Sequence, residues 1–360
     1  MKQLEGQGVT TRDAMGVGVN KSTNTWQSCL PDCLFMALEL EARDKFAIAN
    51  MDRLFGEHSY HFDCKQKQGL DIIFSRYEDK QYFRFEQETI SGYLGDKLQA
   101  LYGLQVSALS FPDRNALDQY LFTMLAKNER VICEYSGKYV PYRVEDYHKY
   151  YGYHIVTFKS YDKAHNAFMV DDALKRDVSI SWQDYQSSFE DVLAHEGSVR
   201  VYHIKKVGTE SPLTLEWALK QVEQNIAGLV SDSPHIGTSA ISEFLEYISC
   251  LNEIERPFVI PGVWVFSLQR ASALNWLMAL QQDFSDPKLK RICAPMIEAL
   301  PDLSKGWKEV ELLMRLSCRS KSVTGHQVYQ RILHLCEVEQ ALIQVWLDLQ
   351  EWLLAKRRAS

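Results

Sequence analysis

Long apolar runs are missing from this chain of 360 residues: nowhere do 18 uninterrupted apolar residues occur, so no segment is expected to span a membrane. The opening stretch, MKQLEGQGVTTRDAMGVGVNKSTNTW, has no continuous apolar core, and no signal peptide is expected. Basic tracts are equally scarce. With 40 Lys and Arg against 47 Asp and Glu the formal charge is −7, and no basic cluster is longer than the terminal AKRRAS, which argues against a nucleic-acid footprint. No disulfide framework is expected either. The eight cysteines, at 29, 33, 64, 133, 250, 293, 318 and 336, are scattered and many lie inside apolar-periodic runs, as reduced core thiols do. These absences together point to a cytoplasmic protein. GVGV at 16 to 19 lacks the Gly-Lys-Ser ending of a phosphate loop, and residues 1–20 read as a flexible lead-in.

The remaining pattern divides in two. Over 21–207 it is mixed: helical periodicity marks 30–42, 88–102 and 113–127, and the runs RVICEY, GYHIVTFKSY, NAFMVDD, DVSISW and SVRVYHIKKV follow as strands. Helices first and strands later predict an α+β domain. KKVGTESPLT marks the boundary, where Ser211 can cap and Pro212 can open a helix. Over 208–360 helical spacing recurs at 213–231, 238–255, 262–283, 286–300, 305–320 and 326–356, with breaks at ERPFVIPG and PDLSKG, so a helical bundle is expected. No fixed period relates these helices, which disfavours a solenoid. Trp264, Trp276, Trp307, Trp346 and Trp352 are read as its core.

Chemistry is suggested first by SCLPDCLFMALEL, residues 28–40. Leu30, Cys33, Leu34, Ala37 and Leu38 share one helical face, which places Cys29 at the helix's N-terminal edge, where Pro31 costs no hydrogen bond. There a thiol meets the positive end of the helix dipole, and its thiolate is favoured. The plain alternative makes Cys29 and Cys33 small core residues. What separates the two readings is a base.

Among ten histidines, His58 and His61 precede Cys64 in EHSYHFDC, but no matching cluster follows, and a polar loop is preferred to a metal site. His165 falls in a turn, and His195, His203, His235, His326 and His334 have no carboxylate or cysteine pattern around them. His154 differs. It opens the strand HIVTFKSYD, the chain turns at KAHN, and AFMVDD returns to end in two carboxylates. A hairpin brings Asp171 or Asp172 beside His154, where a carboxylate can fix the imidazole tautomer. Asp171, which directly follows the apolar run, is preferred, and Asp172 stays open. The expected constellation is Cys29, His154 and Asp171. The tyrosine-rich segment between 135 and 154 offers Tyr135, Tyr139, Tyr142 and Tyr150 as walls that exclude water, or equally as rings buried for packing.

These residues carry a resemblance. SCLPDCLFMAL is similar to the helix start of papain-like cysteine peptidases of the bacteriocin leader-processing type, and VICEYSGKYVPY, YYGYHIVTFKSYD and FMVDD, in that order, resemble the N-terminal domain of the butirosin biosynthesis protein H family. The similarity covers about 24–207; the helical half is unmatched. It implies a papain-like fold with Cys29 as nucleophile, His154 as base and Asp171 as orienting carboxylate. It also implies acyl transfer from a carrier-protein thioester to a small amine, with phosphopantetheine on an acyl or peptidyl carrier protein as part of the substrate and with neither a bound cofactor nor a metal. Where papain relatives place an oxyanion-binding glutamine this chain has Thr23, and Asn24 or Gln27 is the candidate replacement. A cysteine peptidase or thioesterase, and an inactive papain-like binding module, are the competing functions. Lys288, Lys290 and Arg291 are candidates to meet an acidic carrier, or are simply solvated, and the helical half is compatible with a homodimer interface.

Overall fold

The computed structural model describes His58 and residues 62–66, 70–74, 84–86, 89–142, 147–148, 153–172, 175–230, 237, 241, 245, 263–319 and 325–360. Cys29, Asn24, Gln27, Tyr150, the lead-in and the helix expected over 30–42 lie outside these residues. The described fold is mixed α+β with a helical C-terminal region. The strands are β1 (Phe62–Gln66), β2 (Leu70–Phe74), β3 (Arg84–Glu86), β4 (Thr89–Ser91), β5 (Leu104–Phe111), β6 (Val131–Ser136), β7 (Tyr153–Asp162), β8 (Ala167–Asp171), β9 (Val178–Ser181) and β10 (Val199–Lys206). The helices are α1 (Gly92–Tyr102), α2 (Arg114–Ala126), α3 (Trp182–Glu196), α4 (Leu215–Leu229), α5 (Trp264–Phe284), α6 (Pro287–Arg319) and α7 (Gly325–Ala359). Among the described residues no helix is long and apolar enough to cross a membrane.

β1 and β2 form a two-stranded sheet; the other eight strands form one antiparallel sheet in the order β3-β4-β5-β10-β6-β7-β8-β9. The five strands read from sequence are β6 to β10. The expectation that helices come first is corrected: β1 to β5 precede α2, and the helix expected from 88 begins only at Gly92, after β4. β3 and β4 are three residues each, too short to display a period of two. The sequence reading also lacked α3, whose composition is polar. Ser181 caps it by accepting from the Asp184 N–H, Gly197 ends it in the left-handed conformation, and Tyr185, Ser188, Phe189 and Val192 make a buried stripe.

Strand alternation assigns each sheet residue to one of two covered faces. Val131, Cys133, Tyr135, Val156, Phe158, Phe168, Val170, Val199 and Val201 pack with Leu117 and Leu121 of α2 and with Tyr185, Phe189 and Val192 of α3. On the other face, Val106, Ala108, Ile132, Ile155 and Tyr202 join one core with α1 and with the helices of the C-terminal half. Where the last strand hands over to that half, Gly103 and Gly208 touch backbone to backbone. A Cβ on Gly103 would lie 2.3 Å from the Gly208 carbonyl carbon, and φ there is +60°.

The expected break at PDLSKG does not exist. α6 runs through Pro295 and Pro301 without interruption, because Met296, Leu300, Leu303, Trp307 and Val310 keep one fully buried face across both prolines. Packing here outweighs the lost helical hydrogen bonds.

A buried polar network crosses this core. Arg270 of α5 pairs bidentately with Glu339 of α7, whose Oε1 also accepts from Trp307 Nε1 at 2.9 Å. His58, read from sequence as part of a polar loop, is instead fully buried here. Its Nδ1 accepts from Trp346 Nε1 at 3.0 Å, so the ring proton sits on Nε2, 3.3 Å from Glu339 Oε2. Its backbone N–H donates to Asn225 Oδ1, which also accepts from Gln221, and Gln221 in turn accepts from the Lys97 ammonium.

Burial holds the His58 pKa below its ordinary 6.5, with the Arg270 charge acting in the same direction. The unfolded chain therefore binds a proton that the fold refuses between that depressed value and 6.5. This contribution is whole above pH 6.5 and is lost as the pH falls below it. Urea midpoints measured from pH 7.5 to 5 are expected to decline, and the decline is expected to flatten in His58→Gln.

Candidate active site

His154 enters β7 one residue after its start and pairs in register with Tyr135 of β6. β8 returns beside β7 with Thr157 opposite Asp171 and a bulge between Phe158 and Ser160. Since residues alternate across the sheet, His154, Val156 and Phe158 point to the face that α2 and α3 cover, while Thr157 and Asp171 point to the other. Asp172, one residue beyond Asp171, returns to the His154 face. It lies diagonal to the imidazole, within reach of a long side chain.

The geometry follows this parity. His154 Nε2 lies 2.6 Å from Asp172 Oδ2, and both residues are buried, at 4% and 1% exposure. The preference for Asp171 as the partner of His154 is therefore corrected to Asp172. Asp171 accepts at Oδ1 from Lys159 Nζ at 3.2 Å and from the Asp177 N–H at 2.9 Å, and its Oδ2 is 3.7 Å from Arg130 Nη1. With Nε2 engaged by the carboxylate, Nδ1 is the basic nitrogen. A short contact of this kind fixes both tautomer and ring orientation and stabilises an imidazolium once formed.

The tyrosines divide. Tyr135 and Tyr139 pack as core rings: both are buried, the Tyr135 ring meets Phe158 edge to face, and its hydroxyl donates to the Tyr139 carbonyl. Burial, with the Asp184 charge adding to it, pushes the Tyr135 phenol well above its usual range, which leaves it a neutral donor. Tyr142 is half-buried, with the Lys175 ammonium 5.5 Å from its ring centre.

Sequence reasoning missed Asp184, Tyr147 and His148. Asp184, near the start of α3, accepts from Tyr147 Oη at 2.9 Å and from Ser181 Oγ at 2.8 Å, and His148 Nε2 lies 3.3 Å from its other oxygen. The His148 N–H donates to the Lys138 carbonyl, and its ring stands edge-on to Tyr139. These contacts tie the chain just ahead of β7 to α3. The available signal was SWQD, a serine followed three residues later by a carboxylate, which is a helix-start pattern.

Cys133 and Cys293 are buried thiols whose pKa burial raises, the latter to about 12, so both are inert as nucleophiles. What the described site can do is hold an imidazole in a fixed orientation against a carboxylate in a dry setting. Neither the family models nor the curated proteins compared with this chain match it.

Proposed function

We propose that the chain is a papain-like cysteine acyltransferase in which Cys29 is the nucleophile, His154 the general base and Asp172 the carboxylate that orients it. The observation that carries this reading is the buried 2.6 Å contact between His154 of β7 and Asp172, one residue past the end of the adjacent antiparallel β8. The helix-edge position read for Cys29 and the resemblance of 24–207 to an acyl-transferring family support it.

The donor is an acyl or aminoacyl thioester on the phosphopantetheine arm of a carrier protein. Cys29 sulfur bonds to the acyl carbon, the carbon–sulfur bond to pantetheine breaks, and the imidazolium returns its proton to the departing thiol. A small amine then attacks the acyl-enzyme and gives up a proton to His154, which releases an amide and the free thiol. Asn24 or Gln27 together with the Cys29 N–H serves the oxyanion.

The test is intact-mass analysis of the full chain incubated with an acyl-pantetheine thioester. A covalent acyl adduct is expected that persists in Cys33→Ala and vanishes in Cys29→Ala. Added amines are expected to collect the acyl group as amide. Release of free acid alone would make the protein a thioesterase or peptidase, and no adduct in any variant would leave a binding module.

A further inference from the structure

The carboxylate at Asp171, turned away from His154, has more contacts than its ladder position requires. It is fully buried on the opposite face of the sheet. Its Oδ1 holds the far end of the 172–177 connection through the Asp177 N–H and meets Lys159, the residue at the β7 bulge, which also pairs with Asp177. Asp177 has φ +54°, a left-handed conformation that an aspartate adopts at a cost unless its surroundings fix it. At the near end, the Asp172 N–H donates to the Lys175 carbonyl and the Lys175 N–H donates back to the Asp172 carbonyl. The connection is thus clamped at both ends, and the residue it carries at its first position is the partner of His154.

We infer that Asp171 is a positioning residue: by closing the 172–177 connection from behind the sheet it holds the Asp172 carboxylate against His154. The inference rests on the proposed role of His154 only for its functional meaning; the physical claim concerns the imidazole itself. Loss of the Asp171 carboxylate frees Asp177 from its left-handed turn and Lys159 from one of its two anions. The Asp172 side chain, one residue away, then samples positions out of hydrogen-bond reach of Nε2.

The experiment is proton NMR of the ring N–H groups in full-length protein with 15N-labelled histidine, the His154 signal being assigned by its loss in His154→Gln. The His58 Nε2–H, buried against Glu339, reports global opening in the same sample. In Asp171→Ala, as in Asp172→Asn, the exchange of the His154 Nε2–H is expected to rise about tenfold or more relative to that of His58. Asp171→Asn, which keeps an acceptor for the Asp177 N–H, is expected to restore most of the protection. If Asp171→Ala does not fold, Asp171→Leu, which fills the same space but offers no acceptor to the Asp177 N–H, makes the same comparison. Equal acceleration of both histidines, or an unchanged His154 signal in the folded variants, overturns the inference. Because no step depends on Cys29, an inactive protein that passes this test separates the positioning claim from the acyltransferase reading.

Discussion

His154→Gln is expected to slow acylation of Cys29 by an acyl-pantetheine thioester by about 10²–10⁴, the range for loss of a positioned general base. The geometry makes the loss specific. The imidazole is anchored at Nε2 by Asp172, in the proposed mechanism Nδ1 takes the thiol proton, and glutamine offers no basic nitrogen there. Asp172→Asn is expected to fall in the same range, because an amide in place of the carboxylate no longer selects the Nε2–H tautomer or stabilises the imidazolium. Single-turnover acylation followed by mass spectrometry measures both. Equal rates in the parent and in His154→Gln would remove the base from the account.

Glu339→Ala is expected to destabilise the protein by about 3–5 kcal/mol, the scale for breaking a buried ion pair from one side. Burial alone would push the Glu339 carboxyl up, but the Arg270 charge, backed by hydrogen bonds from His58 and Arg270, holds it well below the usual carboxylate range. Removal takes its bidentate carboxylate from the fully buried Arg270 guanidinium and takes from Trp307 Nε1 the carboxylate oxygen 2.9 Å away. The matched double variant Arg270→Met with Glu339→Leu is expected to recover the part of the loss due to the uncompensated charge, while the Trp307 and His58 donors still lack Glu339. Urea midpoints of the parent, single and double variants decide this. A mild effect of Glu339→Ala, within about 1 kcal/mol, would mean that the network contributes little to stability.

The extent to which such features are legible in sequence differs from residue to residue. β6 to β10 could be read because each alternates or is continuously apolar, and that reading already places His154 beside two carboxylates. The choice between them turned on parity. Phe168, Val170 and Asp172 alternate on one face of β8 and its extension, while His154 shares a face with Val156 and Phe158, so all six belong to one side once both apolar sets are taken as the same core. Proximity of Asp171 to the apolar run carries no such information.

Glu339 was similarly visible. Ile332, Leu335, Glu339, Leu342, Trp346, Leu349 and Leu353 alternate spacings of three and four along α7, all are buried, and Glu339 is the charged member of the stripe. Its partner Arg270 lies 69 residues earlier, and nothing local connects them. The role of His58 depends on contacts 281 and 288 residues away, to Glu339 and Trp346, which no local pattern encodes. The uninterrupted α6 belongs with these, because the buried face that carries it past two prolines is supplied by its neighbours.

The most direct measurement is the rate at which iodoacetamide alkylates Cys29 and Cys33 in the folded full-length protein at neutral pH, read by peptide mapping, in the parent and in His154→Gln. A thiolate stabilised by the imidazolium and the helix edge is expected to make Cys29 react at least about tenfold faster than Cys33, and His154→Gln is expected to bring it to the Cys33 rate. Equal reactivity of the two thiols in the parent, or a fast Cys29 that is indifferent to His154, would contradict the pairing on which the proposed chemistry stands.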